Sequence, residues 1–568
     1  MGITHCNFML FPLTFDKMIL PKRNYLFLFV LKLCLVGTLS HAQTFNRYDF
    51  LHGKLNKNRS WFDVTMYDIK LRVEPEKQFI KGHNKIWFKT LKAANMMQLD
   101  LHGNMHIDSI VFLHKKLSYK RDSSVVMVQL PKFNAKKLNS ITIYFSGHPL
   151  IAQKAPWDGG FVFTHDSSGN AWVGLACQGL GASVWLPCKD HNSDEADSVN
   201  MALEVPSGLT GVSNGKLVQI IESNPGYNTY VWQTRYPINN YNITVNVGKY
   251  HHFSDEYRAK YNTIDHPLKL DYYVLEYNYN KAVKHFQQVK TMMACFEKHF
   301  GPYPFWNDGY KLVETPYWGM EHQSCVSYGN NYDNNRWDFD FIIIHESAHE
   351  WFGNSLSAND PAELWLHETF TTHAEAVFIE CSQHYDAAHK YLKMQKRNIE
   401  NKYPMLGTPD VFFHHFRDND IYYKGSWMLY TIRNVINNDT LWFNALKDYS
   451  NHFKYANLTT EQCIIFWSKR VNPSLRVIFK QYLEKNTIPK LQYSIKENTN
   501  GMLELRYRWV NVISNFEMPV NVTLSKAQFE PLMITTKWRV VDLNYFDANE
   551  FKIQTDHFLI ETEKVSWD

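Results

Sequence analysis

The chain has 568 residues, 45% of them hydrophobic, and a formal net charge of only +4. That length allows two to four domains around a large core. The balance of charge gives no sign of a nucleic-acid partner, the more so because residues 1–42 alone carry +3 of the +4.

The N-terminus reads as a secretory signal. Lys22 and Arg23 precede an apolar run from Tyr25 to Val36 that only Lys32 interrupts, and Ser40-His41-Ala42 places small residues where a signal peptidase cuts. Cleavage is expected after Ala42, giving a periplasmic or extracellular protein with no membrane span in the mature chain. Met18 is the expected start, because the preceding residues do not fit this plan. The remaining cysteines, Cys177, Cys188, Cys295, Cys325, Cys381 and Cys463, are too scattered for a disulfide framework. Cys177 and Cys188 read either as a pair or as two buried thiols.

Residues 43–255 form an expected N-terminal β-domain. Val64, Met66, Ile69, Leu71 and Val73 roughly alternate, as on a half-buried strand, and runs at Lys85, Val125, Ile141 and Asn242 read the same way. Residues 256–487 are expected to form an α+β domain. A strand is predicted over Leu268–Leu275, a helix over Lys281–Phe300 closed by Gly301-Pro302, and a strand at Lys311. A buried helix follows from about Asp338 to Gly353, capped by Asp338 or Asp340. Further helices are expected over Leu364–Cys381, Ser426–Ile436 and Gln462–Lys469, the last opened by a Thr459/Gln462 capping box. From residue 488 the period returns to two, at Leu503, Val520 and Trp538, which predicts a small C-terminal β-domain over 488–568.

The chemistry concentrates at His345-Glu346-Ser347-Ala348-His349. On a helix, residues four apart share one face, so two imidazoles can grip one ion. Burial in an apolar helix is expected to keep both rings neutral, the form that binds metal. Glu368 lies far enough on for a second helix to bring it alongside as third ligand. A two-histidine, one-glutamate set leaves a coordination position for water, the catalytic arrangement of zinc. Glu346 is then the expected general base. Glu375, seven residues beyond Glu368 on the same face, is a candidate to orient a ligand histidine.

The run from His345 through Glu350-Trp351-Phe352-Gly353-Asn354, followed by Leu364-Trp365-Leu366-His367-Glu368-Thr369-Phe370, resembles the gluzincin aminopeptidases of the aminopeptidase N and leukotriene hydrolase family. Trp318-Gly319-Met320-Glu321-His322 resembles that family's exopeptidase motif, Tyr422-Tyr423-Lys424-Gly425 its Tyr-x-Lys-Gly segment, and Cys177-Gln178 with Leu186-Pro187-Cys188-Lys189-Asp190 the segment lining its amino-terminus pocket. The resemblance implies an N-terminal β saddle, a thermolysin-like catalytic domain and a C-terminal β-sandwich. It implies one zinc ion per chain and peptide substrates with a free N-terminus. It also assigns roles: Glu321 and Gln178 would hold the substrate ammonium, Gly319 and Met320 would pair with its backbone, and Tyr422 would donate to the oxyanion. Three other readings stand beside this one: an endopeptidase, an epoxide hydrolase on the same site, and a non-catalytic scaffold.

Departures from the family pattern are Trp318 and His322 in the exopeptidase motif and His367 and Thr369 around the third ligand. Trp318 is expected to reshape the pocket for the first side chain, and His322 to make amino-terminus binding pH-dependent. The large helical domain that follows in many family members is not expected here, which would leave a more open site.

Overall fold

The computed structural model describes residues 45–412, 418–525, 528–544 and 547–567. The expected signal segment lies outside them. Among the described residues, no helix is long and apolar enough to cross a membrane.

The N-terminal half is built on an eight-stranded sheet. Its centre pairs Phe62–Glu74 antiparallel with Phe79–Thr90 on one side and parallel with Ser198–Pro206 on the other. The predicted alternation on the first strand holds only after a correction. The register shifts between Val64 and Met66, so the buried set changes phase from Phe62 and Val64 to Tyr67, Ile69, Leu71 and Val73, and Met66 is left half-buried. One extra residue turns every later side chain to the opposite face. The run at Asn242 is not the strand expected. It begins as a single 3-10 turn over Asn240–Asn242, and the strand that follows is only Asn246–Gly248. A smaller sheet over Gly160–His165 and Ala171–Ala176 carries the chain toward Gln178.

A five-stranded sheet follows, with Leu268–Leu275 as predicted, Tyr310–Glu314 beside it, and Gly319–Met320 at its edge. We number the α-helices in chain order: α1 Arg47–Gly53, α2 Tyr279–His285, α3 Gln288–Phe300, α4 Phe341–Ala348, α5 Trp365–Ser382, α6 Tyr385–Gln395, α7 Tyr423–Ile436, α8 Asp439–His452, α9 Thr460–Arg470 and α10 Leu475–Glu484. The single helix predicted over Lys281–Phe300 is two, broken at Phe286 and Gln287, so that Phe286 turns inward under the sheet while α3 packs its own apolar face. The capping box of α9 is present as read: the Thr459 hydroxyl accepts from Gln462 N, and Gln462 Oε1 accepts from Thr459 N.

The cysteines settle the open alternative and add a bond the sequence did not suggest. Cys177 and Cys188 are separate buried thiols, and the disulfide joins Cys295 on α3 to Cys381 on α5, across 86 residues. Residues that far apart in sequence meet only because the two helices pack side by side, which spacing does not reveal. The C-terminal strands Lys490–Glu497, Leu503–Val510, Arg539–Leu543 and Glu561–Lys564 form a four-stranded sheet, faced by the hairpin Glu517–Ser525/Gln528–Thr535. Their inner side chains, among them Leu505, Trp509 and Val520, join one apolar core with the helices.

Candidate metal centre and substrate pocket

Helix α4 starts where Asp340 accepts hydrogen bonds from Ile342 N at 2.9 Å and Ile343 N at 3.3 Å. The second Asp340 oxygen is held by Tyr328 OH and His285 Nε2, each at 2.7 Å, so the cap is itself anchored in the sheet. The helix ends at Ala348, one turn sooner than predicted. His349 is its C-cap, and the chain reverses through Gly353 at φ 134°, where a side chain would press on His349 Nδ1 at 3.0 Å. This reversal brings Phe352 O within 3.0 Å of His349 Nδ1. A proton on Nδ1 is thereby spoken for, and Nε2 keeps its lone pair.

Helix α5 runs alongside and supplies Glu368 and Glu375. Glu368 Oε2 lies 3.6 Å from His345 Nε2 and 3.4 Å from His349 Nε2. It is buried and has no hydrogen-bond donor among the described residues. A buried, undonated carboxylate oxygen facing two imidazole nitrogens is costly on its own. It is the donor set a tetrahedral zinc ion requires, and the three ligand atoms lie within 4.8 Å of one another. His345 Nε2, His349 Nε2 and Glu368 would therefore hold the ion.

Glu375 is where the spacing put it: its Oε1 is 2.7 Å from His345 Nδ1. Its Oε2 accepts from Gln395 Nε2 at 3.0 Å and from Tyr391 OH, both on α6. Neither α6 residue is marked by any local pattern. The expectation that burial alone keeps the rings neutral is incomplete. Burial does lower the pKa of His345, but the carboxylates of Glu368 and Glu375 beside it outweigh that and carry the pKa well above the usual value. His349 is raised in the same sense by Glu368.

Glu346 lies in the same cavity, its pKa pushed up to about 7 by burial and by Glu321 and Glu368, against the pull of both histidines. Gly319 is required beside it: a Cβ there would lie 2.8 Å from Glu346 Oε1 and equally near Ile342. Glycine lets the edge strand Gly319–Met320 run directly over α4, antiparallel to Ser327 and Tyr328.

Glu321 follows that strand, buried. Its Oε1 accepts from Gln178 Nε2 at 2.5 Å and Tyr241 OH at 3.2 Å, and its main-chain oxygen accepts from Asn354 Nδ2 at 2.8 Å. Gln178, which the sequence placed as an acceptor, thus points its amide nitrogen at Glu321. Tyr422 caps α7 with its ring 6.2 Å from that of His345, whereas Tyr423 lines the cavity farther along. The cavity measures about 710 Å³ and also admits Trp157, Trp318, Arg336 and Phe341.

The departures from the family motif sort differently from expectation. His322 is fully buried, its Nδ1 3.0 Å from Ser327 Oγ, and burial depresses its pKa to about 3. It stays neutral throughout the physiological range, so it is no pH switch. His367 accepts from Ala358 N at 2.7 Å and serves the short strand Leu356–Ala358 rather than the cavity. Thr369 donates to Ile421 O at 2.7 Å, one residue before Tyr422. Trp318 does face the cavity, stacked on Phe341 at 5.4 Å and donating to Asn330 Oδ1 at 2.9 Å.

Two histidines and one glutamate, with Glu346 beside them in one cavity, form the donor set of a catalytic zinc site. Residues 285–482 match the peptidase family M1 domain. The matched stretch holds His345, His349 and Glu368, and this donor set suits zinc. Among known proteins, it is 21% identical over 477 residues to probable aminopeptidase 2 of Sulfurisphaera tokodaii, covering 78% of this chain and 56% of that protein. It is 24% identical over 312 residues to aminopeptidase B of Rattus norvegicus, covering 50% and 44%. The chain thus spans about half the length of the curated relatives it matches. An M1 zinc metallopeptidase from Deinococcus radiodurans shares the fold with a TM-score of 0.63 at 19% identity, over 75% of this chain and 95% of that one. A mutant of it bound to a Tyr-Ser-Ala substrate gives 0.64.

Proposed function

We propose that the chain is a zinc-dependent aminopeptidase that releases N-terminal residues from peptides. One observation carries the reading: Glu321, Glu346 and His349 present atoms within 4.8 Å of one another, in the cavity that also holds the metal ligands. A carboxylate so close to the reacting centre binds a positive charge at a fixed short distance from the cleaved bond, and the α-ammonium of a peptide is that charge. Tyr241 and Gln178 donate to Glu321 and hold it in place.

When bound, zinc supplies Lewis-acid polarisation and lowers the pKa of a coordinated water. The chain's own residues do the rest. Glu346 takes the proton of the attacking water and returns it to the leaving amine. Tyr422, its phenol kept protonated by burial and the surrounding carboxylates, donates to the developing oxyanion. The unpaired edge of Gly319–Met320, which lines the cavity, pairs with substrate backbone as an added strand.

The test is a panel of aminoacyl fluorogenic substrates with and without chelator, together with free and acetylated versions of one peptide. Chelator-sensitive, stepwise trimming of free peptides alone is expected. Equal cleavage of acetylated peptides, or internal cuts seen by mass spectrometry, would place the activity with the endopeptidases instead.

We also propose that the protein is exported. Support comes from the basic and apolar N-terminal segment and from the Cys295–Cys381 bond, since such bonds persist in oxidising compartments. N-terminal sequencing of the protein from its native source should begin at Gln43; an intact first segment on cytosolic protein would refute export.

A further inference from the structure

We propose that His389, Asp556 and His557 form a second metal site, separate from the catalytic one, for a divalent transition ion with zinc as the best fit. Each offers one ligand atom, and the three atoms lie within 4.8 Å of one another. His389 Nε2 is 3.6 Å from Asp556 Oδ2, His557 Nδ1 is 3.1 Å from Asp556 Oδ1, and the two imidazoles stack with centroids 4.4 Å apart. Two imidazoles and a carboxylate are a donor set that suits zinc over magnesium or calcium, which prefer all-oxygen sites.

The site has a built outer layer. His389 Nδ1 lies 2.9 Å from Tyr430 OH, which is 2.8 Å from Tyr385 OH. An Nδ1–H donated to Tyr430 leaves the lone pair of His389 on Nε2, aimed at Asp556 and His557; ligand histidines are commonly oriented this way. The loop that brings the other two ligands is fixed at both ends. Lys396 Nζ donates to Thr555 O at 3.4 Å and Phe558 O at 3.3 Å, and Leu559 N donates to Thr431 Oγ1 at 2.9 Å. Two lysines stand near the carboxylate: Lys396, occupied with Thr555 O and Phe558 O, and Lys393, 3.7 Å from Asp556 Oδ2, with its side chain half exposed and free to turn into water as an ion enters.

The placement gives the ion a structural task. His389 stands on α6, whereas Asp556 and His557 belong to the C-terminal β-region, so the ion would clip one to the other. The same helix carries Tyr391 and Gln395, which hold Glu375 against His345. The clip therefore tethers the helix that steadies a catalytic ligand, without touching substrate.

The experiment counts zinc in the full mature chain, stripped and then dialysed against zinc buffered in the micromolar range, by plasma mass spectrometry. Wild type should hold two equivalents. His557→Gln and His389→Gln should hold one, and Glu368→Ala should also hold one, the other. Adding zinc beyond the first equivalent should raise the melting temperature of wild type and leave that of His557→Gln unmoved, while kcat/KM of His557→Gln stays within about twofold of wild type. A single equivalent in wild type, or a second equivalent kept by His557→Gln, would overturn the site. Should His389→Gln fold poorly, His557→Gln and Asp556→Asn decide the matter by the same count. None of these outcomes depends on what the enzyme cleaves.

Discussion

Thr369 on α5 occupies the notch that Gly425 leaves on α7: a Cβ at position 425 would lie 1.8 Å from Thr369 Oγ1 and 2.8 Å from its Cβ. The same hydroxyl donates to Ile421 O. The glycine of the Tyr-x-Lys-Gly segment is thus a packing requirement, and it sets how near α7, and so Tyr422, comes to the metal ligands. Gly425→Ala should cost on the order of 1–3 kcal/mol by overpacking and lower kcat by pushing Tyr422 outward. Thr369→Gly added to it should recover part of both losses. Thermal melts and kcat for the two single variants and the double variant measure the coupling, and strict additivity would show that the contact does not position Tyr422.

Glu346 and Glu368 should separate cleanly. Glu346→Gln is expected to keep stoichiometric catalytic zinc and lose about 10²–10⁴-fold in kcat, the usual worth of a positioned general base. Glu368→Ala removes a ligand and should lose the catalytic zinc as well as activity. Metal analysis beside kinetics distinguishes them; hydrolysis retained by Glu346→Gln would remove that residue from the mechanism.

The outer hold on His345 should appear in metal affinity before it appears in chemistry. Glu375→Gln, and more mildly Tyr391→Phe, should weaken zinc binding by about 10–100-fold, with kcat at saturating zinc changed much less. Competition with a chromogenic chelator gives the affinity. Unchanged affinity in Glu375→Gln would mean that the 2.7 Å contact is incidental.

Glu321 should govern selectivity. Glu321→Ala is expected to raise KM for free peptides and narrow the preference over acetylated ones, because a buried charge pair with the substrate ammonium is lost. Equal selectivity in the variant would assign the ammonium to another group.

Asp308 gives a pH signature away from the catalytic site. It is buried, accepts from Arg235 N at 3.0 Å, and burial pushes its pKa up to about 6. A raised carboxyl favours the protonated folded state. Its contribution is therefore fully present below the unfolded value near 4 and is lost as pH rises through about 6. Asp308→Asn should match or fall below wild type in melting temperature at pH 4 and exceed it at pH 7, by on the order of 2 kcal/mol in stability. A pH-independent difference between the two would refute the assignment.

The sequence by itself determined the local chemistry. His345 and His349 are one helical turn apart wherever the helix sits, Glu375 is two turns beyond Glu368, and the Thr459 cap needs only its own neighbours. Strand runs such as Leu268–Leu275 were equally legible, because a short apolar run buried on both faces stands out from its polar flanks. Only the tertiary structure decided what meets across distance. Tyr241 and Asn354 converge on Glu321, Tyr391 and Gln395 on Glu375, and Cys295 on Cys381, through packing between elements far apart in the chain. It also decided the charge states. His322 beside Glu321 looked like a titrating switch, yet full burial without a carboxylate partner leaves it neutral, while His345, equally buried, is pulled the other way by Glu368 and Glu375. Burial and partner charge oppose each other in setting a histidine's pKa, and their balance depends on what the fold places within a few ångströms.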